Sequence, residues 1–574
     1  MCGWEAHDRQ AGRGGAAVQY RDVLIGDILR RQAAPAGRPK KPALLFDGEA
    51  VTYGELNAAA NRLANALLEL GLETGDRVAL LGRNSPDWVV AYYAAAKSGA
   101  ILVPVNFWNR ASETAYVLQD SGARFVLLAS AHGGIAEELR ALGACGSVER
   151  WIWLDTCPDG SVRNDDLTVD GLTVDASAAE PILAGGPLRE DAPHIILYTS
   201  GTTGFPKGAV MSHRAHVLHA MTFALHTGAS AEDVYLNVYP LFHTGGTDCA
   251  VLPYHFTGAT VALLPDPKPE AVLEAMHRYR VTAMMAVPTI WRRLVGTLVA
   301  LGVTPGRAAG MAAGTRALDL SAFRRAMGSS DAMPLELLKQ VMATFRATWT
   351  QTYGLTEAGC ILTYLPPADH TRKLGSAGKP HAQAEIVIAD PVRADEIGWP
   401  LGEGHQLPAG ETGEVVARTE HLMNAYWNKP EQTAAAVFPS MDGHGAWLRT
   451  GDLGYLDGEG YLYIAGRLKD MIVSGGEKIY PAEVEPLLAA YEGIAELALT
   501  GIPDREWGES VLAVIVPTAG AALDVEAFKG WARRQVAGYK APKHVVLVDA
   551  LPRTSTGKIQ KSVLRERFAS LGTI

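Results

Sequence analysis

Helical and strand signals alternate along most of this chain, and this alternation limits the folds that it can adopt. The predicted segments are a helix from a capping box at 52–55 to a stop at Gly71, a strand at 78–81, a helix at 87–98, and strands at 100–105, 195–198, 260–264 and 282–287. Alternation of this kind is typical of α/β layers built on parallel sheets. The sequence therefore predicts an α/β fold with a large N-terminal domain of mixed parallel sheets and helices.

The composition of the sequence and the length of its predicted strands change after about residue 380. Predicted strands become shorter, and glycine, proline and aspartate become more frequent, as around 411–417. This predicts a β-rich subdomain at about 380–467. A boundary is predicted at 466–470, which divides the chain into an N-terminal domain at 20–467 and a small α+β C-terminal domain at 468–574.

Composition excludes several classes of protein. The 574 residues include 52 Lys and Arg against 62 Asp and Glu, a net charge of −10 that argues against a general nucleic-acid binder. Residues 1–19 lack the apolar centre of a signal peptide and are predicted to be a disordered extension. No run is apolar enough for a membrane span. The five cysteines form no C-x-x-C pair, which fits a reducing cytoplasm.

A glycine-rich run at 198–208 follows the predicted strand at 195–198. Glycines let backbone N–H groups approach a ligand closely, while hydroxyls and a lysine suit phosphate oxygens. Lys207 is followed by Gly208, so the run does not fit the Walker pattern. The run predicts a phosphate-binding loop at a strand end; a flexible surface loop is the alternative.

Four further motifs follow in order. They are 351–357 (QTYGLTE), 448–454 (LRTGDLG), 466–470 (GRLKD) continuing to 474–478 (SGGEK), and 552–558 (PRTSTGK). Glu357 offers a hard oxygen ligand for Mg²⁺, and Asp452 could accept hydrogen bonds from ribose hydroxyls. Each motif alone is weak, since Lys558 would be an ordinary exposed lysine, Asp452 a turn residue and Arg467 a surface ion-pair partner.

Together with the phosphate loop, these motifs resemble, over residues from about 20 to 570, the adenylate-forming superfamily of acyl-CoA synthetases, luciferases and peptide-synthetase adenylation domains. The resemblance implies that a carboxylate attacks the α-phosphate of ATP, giving acyl-AMP and pyrophosphate. It also implies site residues for ATP. These are Thr199, Ser200, Gly201, Thr202, Thr203, Gly204 and Lys207 on the β- and γ-phosphates, Thr356 on phosphate, Glu357 on Mg²⁺, Tyr353 on adenine, and Asp452 with Arg467 on ribose.

The same resemblance implies a second half-reaction in which the thiol of CoA attacks the acyl-AMP. The C-terminal domain would rotate between the two steps about a hinge at Lys469. Lys558 would reach the α-phosphate and the substrate carboxylate as a catalytic residue. Ser474, Gly475 and Gly476 would line the tunnel for CoA, where glycines admit a narrow chain.

A segment at 239–246 resembles the wall of the family's carboxylate pocket. Its implied acyl-pocket residues are Phe242, His243, Thr244 and Gly245, joined by Thr352 and Cys360 beside the Tyr-Gly motif. His243 is implied to gate the pocket, with a packed core histidine as the alternative. Thr352 replaces a frequent glycine and would narrow the pocket.

One segment departs from the family pattern. Relatives often carry a Gly-Gly-Ala-Pro-like turn against adenine, where this chain has 328–334 (GSSDAMP). Asp331 could still present backbone groups to the adenine amine, so the departure concerns nucleotide contacts and not the reaction class.

Three histidines at 213, 216 and 219 have helical spacing, which could bring two of them together on one face. A metal site would need further ligands such as cysteine or a carboxylate, and none lies nearby in sequence. They are therefore predicted to be ordinary histidines on a helix surface.

The leading hypothesis is an AMP-forming acyl-CoA ligase for a fatty or aromatic carboxylic acid, with ATP, Mg²⁺ and CoA. An adenylating enzyme that passes the acyl group to a carrier-protein thiol or an amine is the second. A nucleotide-binding protein without catalysis is the third, and the presence of Glu357 and Lys558 argues against it. A luciferase-like oxidase would share the first half-reaction. The identity of the acid and the oligomeric state, a homodimer included, stay open.

Overall fold

The computed structural model describes most of the chain. The described residues are 22–143, 145–155, 167–199, 206–302, 309–313, 316–329, 333–390, 406–440, 443–475, 477–521, 523–553 and 559–572, of which 309–313, 316 and 317 are described by their backbone alone. The predicted extension at 1–19 lies outside these ranges. No helix within them is long and apolar enough to cross a membrane.

The helices begin and end at the following residues. They are α1 (Ile25–Ala33), α2 (Tyr53–Glu69), α3 (Pro86–Ser98), α4 (Ala111–Ser121), α5 (Gly133–Ala141), α6 (Val169–Thr173), α7 (His213–Thr227), α8 (Thr244–Gly246), α9 (Leu252–Thr257), α10 (Pro269–Arg278), α11 (Pro288–Ala300), α12 (Leu335–Phe345), α13 (Pro430–Ala436), α14 (Pro481–Leu488), α15 (Val525–Gln535) and α16 (Lys561–Phe568). A π-helical turn, Thr247–Val251, joins α8 to α9.

The strands fall into several sheets. They are β1 (Pro42–Phe46), β2 (Glu49–Thr52), β3 (Arg77–Leu81), β4 (Ile101–Pro104), β5 (Phe125–Leu128), β6 (Arg150–Trp153), β7 (Leu167–Thr168), β8 (Pro193–Thr199), β9 (Lys207–Ser212), β10 (Val234–Asn237), β11 (Thr260–Leu263), β12 (Ala283–Ala286), β13 (Ala309–Ala313), β14 (Arg316–Asp319), β15 (Arg325–Gly328), β16 (Thr348–Tyr353), β17 (Thr363–Leu365), β18 (Lys379–Pro380), β19 (Ala384–Ala389), β20 (Gly413–Thr419), β21 (Ala425–Tyr426), β22 (Val437–Pro439), β23 (Ala446–Leu456), β24 (Leu462–Arg467), β25 (Ile472–Ser474), β26 (Glu477–Ile479), β27 (Ile494–Asp504), β28 (Gly508–Pro517) and β29 (His544–Leu547).

Two large mixed sheets form the N-terminal part of the described chain. One has the order β21-β9-β8-β4-β3-β5-β6-β7, parallel from β8 to β7. The other has the order β18-β17-β16-β15-β12-β10-β11-β1-β2, parallel from β16 to β1. Helices α2, α3 and α7 share one apolar core with strands of both sheets, so the predicted α/β layers are confirmed.

Local sequence signals explain several of these elements. Thr52 caps α2 through a complete capping box with Glu55, as predicted. Gly71 has a φ of 88° and follows the C-cap of α2, a conformation that favours glycine. The predicted strands and helices between 78 and 287 are present, with bounds that differ by one or two residues.

Two smaller sheets follow. The order β19-β20-β23-β22, with β24 on β23, confirms the β-rich region after residue 380. The order β26-β25-β28-β27, with β29 on β28, uses only residues after 471 and carries its own apolar core with α14, α15 and α16. The exact boundaries between domains stay predictions.

Candidate active site

The glycine-rich loop joins β8 to β9 as an antiparallel hairpin, in which Thr199 pairs with Lys207. The loop therefore leaves a strand end, as predicted. The predicted phosphate-binding residues Ser200, Gly201, Thr202, Thr203 and Gly204 lie outside the described residues, but the two ends of the loop are described. The Thr199 hydroxyl donates a hydrogen bond of 3.3 Å to Oε1 of Glu357, so the structure brings the loop to the second motif.

Glu357 lies on a 3₁₀ turn, Thr356–Ala358, directly after β16. Its Oε1 also accepts a hydrogen bond of 2.8 Å from the Tyr426 hydroxyl. The Lys207 Nζ lies over the Tyr426 ring, 5.0 Å from its centroid. We call Thr199, Lys207, Glu357 and Tyr426 the phosphate cluster.

Tyr426 was missed by the sequence analysis. It belongs to β21, a two-residue strand that pairs with β9, and no motif spacing marks it. Burial raises the pKa of Tyr426, and the neighbouring Glu357 carboxylate raises it further, so the phenol stays protonated and donates. Only the pairing of β21 with the hairpin, which is a tertiary contact, brings it to the site.

A second group forms where β23 pairs with β24, because the register places Asp452 opposite Arg467. The Arg467 Nε lies 2.7 Å from Oδ1 of Asp452, and the Tyr353 hydroxyl donates to Oδ2 at 2.7 Å. Burial raises the pKa of Tyr353 well above its usual value, and the Asp452 carboxylate adds to this. We call Tyr353, Asp452 and Arg467 the ribose cluster.

The two clusters lie at the two ends of one short turn, since Tyr353 ends β16 and Glu357 follows four residues later. One end holds a carboxylate, hydroxyls and an ammonium group, which suit a metal-bound polyphosphate. At the other end, the buried carboxylate of Asp452 offers hydrogen-bond acceptors of the kind that ribose hydroxyls require. The arrangement suits a nucleotide that extends along this turn.

The predicted acyl-pocket residues after β10 are brought together locally. The Phe242 ring meets Phe107 and Trp108 edge to face, with centroids 5.3 Å and 5.7 Å away. His243 Nδ1 accepts a hydrogen bond of 3.0 Å from the backbone N–H of Gly245, at the start of α8, where Thr244 and Gly245 are buried. This contact orients the His243 ring, while its gating role stays a prediction.

Thr352 and Cys360 are both buried beside the Tyr-Gly motif. The Thr352 hydroxyl donates to the carbonyl of Gly328 on β15 at 3.1 Å, so its polar atom is satisfied within the sheet. The Cys360 Sγ lies 3.3 Å from the Sγ of Cys249. Cys360 also has a φ of 86°, which is uncommon for a residue other than glycine.

Several predicted site residues lie outside the two clusters, and others lie outside the described residues. Lys469 lies on a 3₁₀ turn, Leu468–Asp470, Ser474 is buried at the end of β25, and Gly475 has a φ of 60°. The side-chain contacts given above for the two clusters come from residues before 468. Asp331, Gly476 and Lys558 lie outside the described residues.

The prediction for the three histidines of α7 was wrong. His213, His216 and His219 are at most 1% exposed, because they lie on the side of α7 that packs into the core. Burial lowers the pKa of His213 to about 4, that of His216 to about 3 and that of His219 to about 4. They are therefore neutral core residues near pH 7.

Comparison with known proteins decides what kind of protein this is. The model of the AMP-binding enzyme family matches residues 29–427, and that of the AMP-binding enzyme C-terminal domain matches residues 483–558. The chain belongs to the AMP-binding enzyme family. This membership confirms the resemblance to adenylate-forming enzymes on which the site residues were predicted.

Individual relatives of this AMP-binding enzyme cover nearly its whole length. It is 36% identical to the feruloyl-CoA synthase of an Amycolatopsis species over 530 residues, 92% of this chain and 96% of that protein. It is 34% identical to a long-chain-fatty-acid–CoA ligase of Mycobacterium tuberculosis over 547 residues, 95% of this chain and 99% of that protein. The crystal structure of ATP-bound MatB from Rhodopseudomonas palustris has a TM-score of 0.80 at 29% identity, covering 96% and 100% of the two chains.

Proposed function

We propose that this AMP-binding enzyme is an AMP-forming acyl-CoA ligase that activates a fatty or aromatic carboxylic acid with ATP and transfers the acyl group to CoA. The observation that carries the proposal is the joining of the phosphate and ribose clusters by the 353–357 turn. Relatives that are named as CoA ligases for an aromatic acid and for long-chain fatty acids support it.

In the first half-reaction, an oxygen of the substrate carboxylate attacks the α-phosphorus of ATP, and the bond to the pyrophosphate oxygen breaks. Such a reaction depends on positioning and on stabilising charge. Lys207 and the hydroxyl of Thr199 hold the leaving pyrophosphate, while Asp452 fixes the ribose. Lys558 is assigned to the reacting α-phosphate by its motif alone.

Magnesium is proposed on the chemistry of the donors. Mg²⁺ prefers one or two carboxylates together with substrate phosphates, and Glu357 is the carboxylate at the phosphate cluster. Its Oε1 has two hydroxyl partners, which orient it toward the hairpin that carries the loop. When bound, the ion neutralises phosphate charge.

In the second half-reaction, the CoA thiol attacks the acyl carbonyl and AMP leaves. We assign the approach of the thiol to the C-terminal sheet, with Ser474, Gly475 and Gly476 along the pantetheine and Lys469 at the hinge. A cytoplasmic location and a homodimer also stay predictions.

The test is release of pyrophosphate from ATP over a panel of aromatic and fatty acids, with and without CoA, and with product mass as the second readout. We expect acid-dependent release and a product with the mass of the acyl-CoA thioester. Asp452→Asn should raise the KM for ATP more than that for the acid, because this carboxylate is assigned to the ribose. An amide or a carrier-protein thioester as the sole product would show that an amine or a carrier-protein thiol, and not CoA, is the acceptor. Absence of acid-dependent pyrophosphate release would refute the proposal.

A further inference from the structure

Three soft or borderline metal ligands meet in the core behind the 353–357 turn. They are His219 on α7, Cys249 in the π-helical turn, and Cys360 two residues after the turn of Glu357. Their ligand atoms all lie within 4.8 Å of one another, and all three residues are buried. The three come from distant parts of the sequence, so the spacing of the histidines alone could not reveal the cluster.

His219 presents its ring in the form that a metal requires. Its Nε2 lies 2.9 Å from the backbone carbonyl of Asp248, an oxygen that can only accept, so Nε2 carries the proton. The lone pair is then on Nδ1, which is buried without a hydrogen-bond partner among the described residues. A ligating histidine is typically held in this way by a carbonyl on its second nitrogen.

The backbone at both cysteines is unusual as well. Cys249 lies in a π-helical turn, a rare conformation that often marks functional sites. Cys360 has a φ of 86°, in the left-handed region, and its N–H donates to the carbonyl of Leu355. A non-glycine residue in that region persists only where its surroundings fix it, and here the fixed backbone aims Sγ at Cys249.

We propose that His219, Cys249 and Cys360 form a binding site for a thiophilic divalent cation, with Zn²⁺ as the ion of best fit. Zn²⁺ binds thiolate sulfur at about 2.3 Å and imidazole nitrogen at about 2.0 Å, which places tetrahedral ligands roughly 3.5–3.8 Å apart. To reach this geometry, the sulfurs at 3.3 Å separate by about half an ångström, and ligand atoms up to 4.8 Å apart close by about one ångström. Binding displaces one proton from each thiol to solvent.

This site is separate from the proposed magnesium site, and it shares Cys360 with the predicted acyl pocket. Glu357 offers hard oxygen ligands in the phosphate cluster, whereas Cys249 and Cys360 offer soft sulfur ligands in the core. Because Cys360 follows the turn of Glu357 so closely, a cation there would fix the far end of that turn.

The test uses the full chain, stripped of metal by a chelator under reducing conditions and titrated with Co²⁺, which reports tetrahedral thiolate ligation by its absorption. We expect one Co²⁺ per chain with a thiolate charge-transfer band, and displacement of the ion by Zn²⁺. Cys249→Ser should abolish the band and weaken binding by at least about tenfold. Cys145→Ser, a partly exposed cysteine outside the cluster, should leave both unchanged.

The Co²⁺ titration of the unsubstituted chain tests the proposed cation site even if Cys249→Ser fails to fold. Absence of the charge-transfer band in the reduced chain would refute the site, as would an unaltered band in a folded Cys249→Ser variant. A Cys249–Cys360 disulfide that mass spectrometry detects, together with no Co²⁺ binding after reduction, would identify the pair as a redox couple instead.

Discussion

At the residue scale, the site depends on a few side chains whose partners now define what each can do. The two oxygens of Asp452 bind Arg467 and Tyr353, and Oε1 of Glu357 binds Thr199 and Tyr426. Each carboxylate is thus oriented before a nucleotide arrives, which reduces the cost of ordering on binding.

The first prediction concerns Lys558. Lys558→Ala should lower acid-dependent pyrophosphate release by about 10²-fold or more, because it removes the positive charge assigned to the α-phosphate. Thioester formation from supplied acyl-AMP should be nearly unchanged. Lys561→Ala, which removes a nearby lysine paired with Glu485, is the matched control. Equal loss of both steps would contradict the role of Lys558.

The sequence predicted these residues because chemistry-bearing side chains recur in ordered motifs. Thr199, Lys207 and Glu357 are joined in the structure, and so are Tyr353, Asp452 and Arg467. Tyr426 could not be predicted, since its place depends on a two-residue strand that pairs far away in sequence. The burial of His219 could not be predicted either, because it depends on which elements pack against α7, and the helical period does not reveal them.

At the element scale, the turn between β16 and Glu357 is held by close backbone contact. A Cβ on Gly354 would lie 2.0 Å from the carbonyl oxygen of Cys360 and 2.7 Å from Cα of Ile361. The turn therefore tolerates only glycine at 354, since backbone atoms cannot move aside as a flexible side chain can.

Gly354→Ala should consequently displace Glu357 and lower the rate of adenylation by about 10²-fold, the typical cost of a small misplacement at a reacting centre. Gly296→Ala, in the middle of α11 with open space around it, is the matched control and should leave the rate unchanged. Pyrophosphate release and circular dichroism measure rate and folding separately. A fully active Gly354→Ala enzyme would show that the turn does not position Glu357.

A second element-scale prediction concerns α9 and pH. His255 Nε2 donates to the Ala43 carbonyl and Nδ1 accepts from the Tyr93 hydroxyl, so the ring is neutral, and burial lowers its pKa to about 4. Between pH 6.5 and 4 the unfolded chain then binds more protons at His255, and stability is lost as pH falls. Lowering the pH from about 7 to about 5 should therefore reduce the free energy of unfolding by about 2 kcal/mol through His255.

Urea unfolding at the two pH values measures this cost, and His255→Gln should reduce the loss by about that amount. His277→Gln, at the end of α10, is the control that should retain the full loss. The same loss in His255→Gln as in the unsubstituted chain would show that His255 does not titrate on unfolding.

At the scale of the whole molecule, the proposed cycle needs two arrangements of one chain. The strands after 471 form their own sheet and core, and the chain reaches them through the short turn at 468–470. The α/β order and the β-rich region could be predicted from periodicity, which reports local structure. The pairing order of the two large sheets could not, since it depends on contacts between distant segments.

Lys469→Pro tests whether that turn is a hinge, because proline fixes φ near −65° and resists rotation. We expect thioester formation to fall by about tenfold or more while pyrophosphate release changes little. Lys469→Ala, which removes the side chain and keeps the backbone free, should retain both activities. Equal behaviour of the proline and alanine variants in both steps would place the hinge elsewhere.

The most direct test of the central claim follows oxygen from the acid. With a substrate acid that carries ¹⁸O in its carboxyl group, attack of the carboxylate on the α-phosphorus must leave one ¹⁸O in AMP once CoA has taken the acyl group. Mass spectrometry of the nucleotide and phosphate products measures this transfer. We predict AMP with one ¹⁸O and unlabelled pyrophosphate; label in inorganic phosphate with ADP as the nucleotide, or unlabelled AMP, would contradict an adenylating ligase.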